Sequence, residues 1–216
     1  MVEEMLDIVD MDGNYIKTVT KKEAHQKALL HQAAHCWITQ KPGHIIFQKR
    51  SSRLLDSPGK LYTTASGHIQ AGETVEQGFT REVFEEIGVE IVPSKKITRK
   101  FWSADIAQRD GSIMYDRAII HVFLAEDNRP LDQFPFDDKE IDGLYKLDIK
   151  ETLNLLKTKT GKIKAEAYEI TEGDRVLKTV EIGYDDFLSI GGEDCYDKFG
   201  YILRAAIHGT QFDVHL

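Results

Sequence analysis

The 216-residue chain predicts an α/β protein, a mixed sheet with helices on both of its faces. Three observations predict it. Short runs rich in β-branched and aromatic residues alternate with helical stretches along the chain. The best-defined helix, over residues 75–87, lies mid-chain and follows a strand through a glycine-bearing turn. Hairpin signals stand towards both ends, at Asp12-Gly13 and at Glu172-Gly173-Asp174.

Taken in order, residues 5–18 read as two short strands about Asp12-Gly13. Thr20 caps a short helix over 20–30 (TKKEAHQKALL). Strands follow at 32–39 and 44–50, joined by a turn at Lys41-Pro42-Gly43. A polar loop, SSRLLDSPGK, leads to a strand at 61–66. After the central helix come strands near 89–103 and 113–125, a loop over 126–139 rich in Asp, Pro and Asn, and a strand at 140–148. An amphipathic helix runs from Ile149 to Leu156. KIKAEAYEI and VLKTVEI form the second hairpin, and residues 195–208 a final helix. The expected organisation is an N-terminal hairpin and short helix packed on the core (1–30), a central domain (31–158) and a C-terminal α+β extension (159–216).

Composition narrows the function. Lys and Arg total 28 against 36 Asp and Glu, a net charge of −8, which disfavours binding to a nucleic acid polymer. An anionic substrate must then be met by metal and by local Lys or Arg. The two cysteines, Cys36 and Cys195, suggest neither a disulfide framework nor a zinc site. The first residues have no basic stretch followed by an apolar run. No segment reaches the ~18 apolar residues of a membrane span. A cytoplasmic protein that does not engage a membrane is expected, with the C-terminal segment a candidate homodimer element.

The chemistry concentrates between Gly67 and Val89. Thr74 and Gln77 fit a capping box, and Gly88 is the expected left-handed stop. Val75, Phe79, Val83 and Ile87 form the buried stripe, which leaves Glu82, Glu85 and Glu86 on a more exposed face. At spacings of three and four the carboxylates share one side of the helix. Such like-charge pairs cost a few tenths of a kcal/mol each in a bare helix. A bound hard divalent cation, Mg²⁺ or Mn²⁺, would offset that cost. Gly67 and Gly72 allow the preceding loop a close approach. Arg81 can reach Glu85 or Glu73 and so hold a ligand carboxylate in place.

The spacing is specific. From Gly67 there are five residues, then Glu73, then seven residues, then Arg81-Glu82-Val83-Phe84-Glu85-Glu86-Ile87-Gly88-Val89. This resembles a complete Nudix box, a pattern that chance would supply on the order of once in ten million chains of this length. The resemblance implies a Nudix-type α/β/α sandwich and hydrolysis of a diphosphate linkage by water attack on phosphorus. It implies Glu82, Glu85 and Glu86 as metal ligands and Arg81 with Glu73 as an orienting pair. Glu140, downstream in an acidic loop, resembles in its place the glutamate that often acts as general base or extra metal ligand. Glu85, Glu86 and Arg81 join it as catalytic candidates. Arg50 and Arg53 in the loop before the box, with Gly67 and His68 beside it, are the expected substrate contacts, with Lys49 and Lys60 nearby. Trp102 is the aromatic candidate for stacking on a base.

A second resemblance covers more of the chain. Residues 6–38, FQKR at 47–50 and TTASGHIQAGE at 63–73 are similar to the Nudix subgroup that includes isopentenyl-diphosphate isomerase. That isomerase has a catalytic cysteine where this chain has Ser66, and a degenerate box where this one is intact. Both departures favour hydrolysis over isomerisation of a prenyl diphosphate. His25, His31 and His68 resemble the histidines that bind the isomerase's metal, although the His25–His31 spacing is one residue short. His31 and His35 lie ~13 Å apart on a strand and cannot share an ion, so His35 is expected to be a packing residue. A non-catalytic nucleotide-sensing module acting through residues 160–216 is the alternative of a different class.

Overall fold

Both faces of residues 31–40 are buried, and this strand organises the molecule. In the computed structural model, which describes residues 3–54, 57–91, 93, 95–108, 111–189 and 194–208, it is β3 (His31–Gln40). Ala34, Cys36 and Ile38 face one apolar cluster, Ala33 and Trp37 another. β4 (His44–Arg50) and the short β6 (Ala65–His68) pair with it antiparallel, and β8 (Ile113–Glu126) pairs with it parallel. The mixed sheet continues through β7 (Lys95–Ala107) on one side. On the other it continues through β9 (Ile141–Asp148), β10 (Lys162–Thr171) and β11 (Asp174–Gly183). β5 (Leu61–Tyr62) joins at β4.

The two faces carry different helices. α2 (Val75–Ile87) lays Phe79, Val83 and Ile87 on the Ile38 side. α3 (Ile149–Thr158) and α4 (Cys195–His208) pack Leu155, Leu156, Phe199, Ile202 and Leu203 on the Trp37 side. This is the expected α/β/α sandwich. No described helix is long and apolar enough to cross a membrane.

Where boundaries differ from the sequence reading, a local interaction explains it. The helix expected over 20–30 is α1 (Lys21–Gln26), capped by Thr20; Ala28 takes φ 52° and turns the chain into β3. The strand expected at 61–66 breaks between β5 and β6. There the Thr64 hydroxyl donates to Ile46 O and accepts from Ile38 N at 3.0 Å, replacing ladder bonds. Val89 and Ile91, expected to open a strand, are buried with α2, and β7 begins only at Lys95.

The N-terminal hairpin, β1 (Met5–Val9) and β2 (Tyr15–Thr20), stays outside the main sheet. It clasps the loop before α2: Leu6 bridges Gln70, Ala71 N donates to Met5 O at 2.9 Å, and Gly72 N to Asp7 Oδ2 at 2.9 Å. At the other end the segment expected as an extension, 159–216, packs on the central sheet. β10 pairs with β9, and the Phe199 ring of α4 lies 5.8 Å from Trp37 and 5.7 Å from Phe47. Residues 1–2, 190–193 and 209–216 of the two expected terminal segments lie outside the described residues.

One buried histidine away from the candidate site is expected to make the fold acid-sensitive. His121 on β8 is 5% exposed and pairs through Nε2 with Gln32 Oε1 at 2.8 Å. Burial, with Lys96 and Arg99 adding, pushes its pKa down to about 4. The folded value lies below the unfolded one, so its contribution is intact above pH ~6.5 and is lost as pH falls towards 4. Between pH 7 and 4.5 the wild type is expected to lose about 2–3 kcal/mol more unfolding free energy than His121→Gln. Denaturant unfolding at both pH values measures this, and parallel losses would refute it.

Candidate active site

The turn from β6 into α2 is built for close approach. A methyl group built on Gly67 would overlap the Glu82 carboxylate. Gly72 takes φ +82° in the loop. Thr74 and Gln77 form the complete capping box, and Gly88 ends the helix at φ 71°.

Arg81 gathers the acidic groups. Its Nε donates to Glu73 Oε1 at 2.7 Å and its Nη2 to Glu73 Oε2 at 3.0 Å. Nη1 donates to Glu82 Oε1 at 2.7 Å and to Glu85 Oε2 at 2.9 Å, while Nη2 also reaches His68 O at 2.7 Å. The sequence offered Glu73 or Glu85 as its partner. One guanidinium, held between them, serves both and Glu82 as well.

The three helix carboxylates are not equally exposed, which corrects the sequence reading. The Glu85 side chain is 54% exposed and that of Glu82 only 13%. Glu86 is buried, since β4 and β6 lie across it: its Oε2 accepts from Ser66 N at 3.1 Å and Gln48 Nε2 at 3.3 Å. Burial raises the Glu82 pKa to about 7 against the pull of Arg81. Burial and the Glu82 charge push Glu86 well above the usual carboxylate range.

All three carboxylates line a cleft of about 710 Å³ with Arg81, Arg50, Gly67, His68, Asp137 and Glu140. Glu140 is exposed at its rim, immediately before β9. Arg53, expected with Arg50 as a substrate contact, is not among the lining residues. It is solvent-exposed and lies 3.9 Å from Asp138 in an ion pair.

A second cluster adjoins the first. His25, His31, His68 and Asp116 each present one ligand atom, all within 4.8 Å of one another. The three ring centroids are 5.0–5.2 Å apart. His25 Nε2, His31 Nε2 and Asp116 Oδ1 are buried without hydrogen-bond partners in the structure. Burial drives the pKa of His25 and of His68 down to about 4, so both rings are neutral at pH 7 and able to ligate. The turn after α1 accommodates the short His25–His31 spacing. Asp116 is the member that sequence reasoning missed. It sits on β8 two residues before Ala118, the partner of His31, and its Oδ2 accepts from Trp102 Nε1 at 3.0 Å. Trp102 therefore holds a carboxylate and also lines the cleft. His35, expected to be a packing residue, is buried with Nε2 3.2 Å from the Tyr62 hydroxyl, and it also lines the cleft.

A profile of the NUDIX domain matches residues 29–169, well over half of the chain. The chain belongs to the Nudix family. An uncharacterized Nudix hydrolase of Clostridium acetobutylicum is 30% identical over 214 residues, 95% of this chain and 98% of that one. The isopentenyl-diphosphate Delta-isomerase 2 of Photorhabdus laumondii is 29% identical over 156 residues, 72% of this chain and 80% of that one. Among solved structures, a Deinococcus radiodurans protein superposes with a TM-score of 0.52 at 19% identity, covering 72% of this chain and 90% of its own, a likeness of fold. Nudix membership supports hydrolysis of diphosphate linkages as the general activity.

Proposed function

We propose that this Nudix protein is a divalent-metal-dependent hydrolase of a diphosphate that links a nucleoside to another group. Glu82, Glu85 and Glu86 would hold Mg²⁺ or Mn²⁺. One observation carries the reading: three carboxylates, two of them largely buried, face one cleft, and one guanidinium holds two of them, Glu82 and Glu85. The residues fit the ion, since the donor set is all oxygen and a cation would offset the burial that raises the pKa of Glu82 and Glu86. When bound, the cation supplies charge neutralisation at the diphosphate oxygens and polarises water. Arg81, braced by Glu73, holds Glu82 and Glu85 in position. Arg50 meets the phosphate oxygens from β4, and Glu140 at the rim accepts the proton of the attacking water. The test is cleavage of the diphosphate, read as its two phosphate-monoester products by chromatography, with Mg²⁺ and with Mn²⁺. The panel covers nucleoside diphosphate sugars, dinucleoside polyphosphates, ADP-ribose, oxidised nucleotides and prenyl diphosphates. Cleavage of none of them would sink the proposal.

The histidine cluster favours a second reading of the same cleft, as a prenyl-diphosphate site resembling that of the isomerase relatives. Three imidazoles and a carboxylate suit Zn²⁺ or Mn²⁺. Ser66, standing where the isomerase has its cysteine, weighs against isomerisation, so we read the cluster as a second metal centre within a hydrolase. The purified chain is expected to retain about one equivalent of Zn²⁺ or Mn²⁺ through dialysis, and His31→Ala to lose it. Elemental analysis that found equal metal in both would exclude this centre. Rearrangement of a prenyl diphosphate without phosphate release would favour the isomerase instead.

A further inference from the structure

β4 passes behind the carboxylate helix and carries a polar side chain into an apolar face. Ile46 and Gln48 are two apart on the strand and both turn towards α2. Ile46 is buried in the cluster that holds Ile38, Val83 and Ile87, and Gln48 is 3% exposed. The Gln48 amide meets Glu86 there: its Nε2 donates to Glu86 Oε2 at 3.3 Å, and Ser66 N donates to the same oxygen at 3.1 Å. Glu86 lines the cleft, whereas Gln48 does not. One step further on, a register shift between Lys49 and Arg50 re-aims the strand, and Arg50 lines the cleft.

Two donors on one oxygen restrict how a carboxylate can turn. The Ser66 donor is backbone, and the pairing of β6 with β3 sets it. The Gln48 donor is a side chain on a different strand, so the two bonds hold Glu86 from two directions. Carboxylates that ligate metals are themselves held by hydrogen bonds, and loss of such a partner costs about 10–100-fold in metal affinity or activity. A neutral amide does this without setting a positive charge against the cation.

We propose that Gln48 is a positioning residue of the metal site, which from behind the cleft sets the orientation in which Glu86 meets the divalent cation. The proposal rests on the reading of Glu82, Glu85 and Glu86 as metal ligands. Gln48→Met keeps the length of the side chain and removes its donor. Titration with Mn²⁺, followed by the EPR signal of the free ion and read well below Tm, gives affinity without turnover. Glu86→Gln, titrated in parallel, identifies the sites that depend on that carboxylate. Gln48→Met is expected to bind Mn²⁺ at those sites about tenfold more weakly than the wild type. The Mn²⁺ concentration for half-maximal cleavage of the best substrate is expected to rise by the same factor, with excess Mn²⁺ restoring turnover. Wild-type affinity at those sites in Gln48→Met would overturn the role of Gln48 alone. Weakening just as large at sites that Glu86→Gln leaves intact would mark general damage to the fold and overturn it too. Equal Mn²⁺ binding by the wild type and Glu86→Gln would overturn the metal reading and this proposal with it. A wild-type chain that cleaved no diphosphate would fail the hydrolase reading, and the Mn²⁺ titration would then decide the role of Gln48 by itself.

Discussion

Glu85→Gln is expected to lower turnover of the best substrate by about 10³-fold or more while leaving Tm within about 4 °C of the wild type. The two halves of this expectation have separate causes. Glu85 is the exposed member of the carboxylate set and its fold contact is the ion pair with Arg81. A surface pair of this kind contributes at most about 1 kcal/mol. Its chemical share is larger. A neutral amide binds a hard divalent cation far less well than a carboxylate does, and losing metal stabilisation of developing charge raises the barrier by several kcal/mol. Steady-state kinetics over a range of Mg²⁺ and Mn²⁺ concentrations, with a thermal melt of each protein, measures both. Wild-type turnover by the variant would remove Glu85 from the metal site.

Gly67→Ala is expected to damage both fold and activity, and to do so through Glu82. The added methyl would occupy the space of the Glu82 carboxylate, which also pairs with Arg81. Overpacking at such a contact costs about 1–3 kcal/mol, a Tm drop of roughly 2–12 °C in a chain of this size. A displaced ligand, even by about 1 Å, costs on the order of 10²-fold in rate. A Gly67→Ala protein with wild-type melting and wild-type kinetics would show that the close approach has no part in the site. At Gly72, where the strain is conformational and a Cβ meets nothing within 4 Å, alanine should affect stability more than rate.

The contrast between the two clusters shows what local sequence can reveal. Glu82, Glu85 and Glu86 are legible because a single helix carries them and its period sets which residues share a face. Their burial is not legible. The helix stripe places them on its exposed side, and only the passage of β4 and β6 across that side encloses Glu86. Glu140 and Arg50 were found in the sequence and stand in the cleft, whereas Arg53, three residues beyond Arg50, points to Asp138 instead. The histidines were found by resemblance. Asp116 had no signal, since an acid within a long strand has no local feature that marks it as a ligand.

The α/β class, the order of elements and the carboxylate helix with its caps follow from the sequence by itself, because propensity, periodicity and capping act over a few residues. Only the tertiary structure decided which distant groups meet. The parallel pairing of β3 with β8 brings His31 and Asp116 together across 85 positions of sequence. The packing of α4 on the Trp37 face sets Lys198 behind Tyr62 and Trp102, so the segment expected to be an added extension lies against the wall of the cleft. Strand register and helix docking are settled by burial summed over the whole core, and no window of sequence contains that sum.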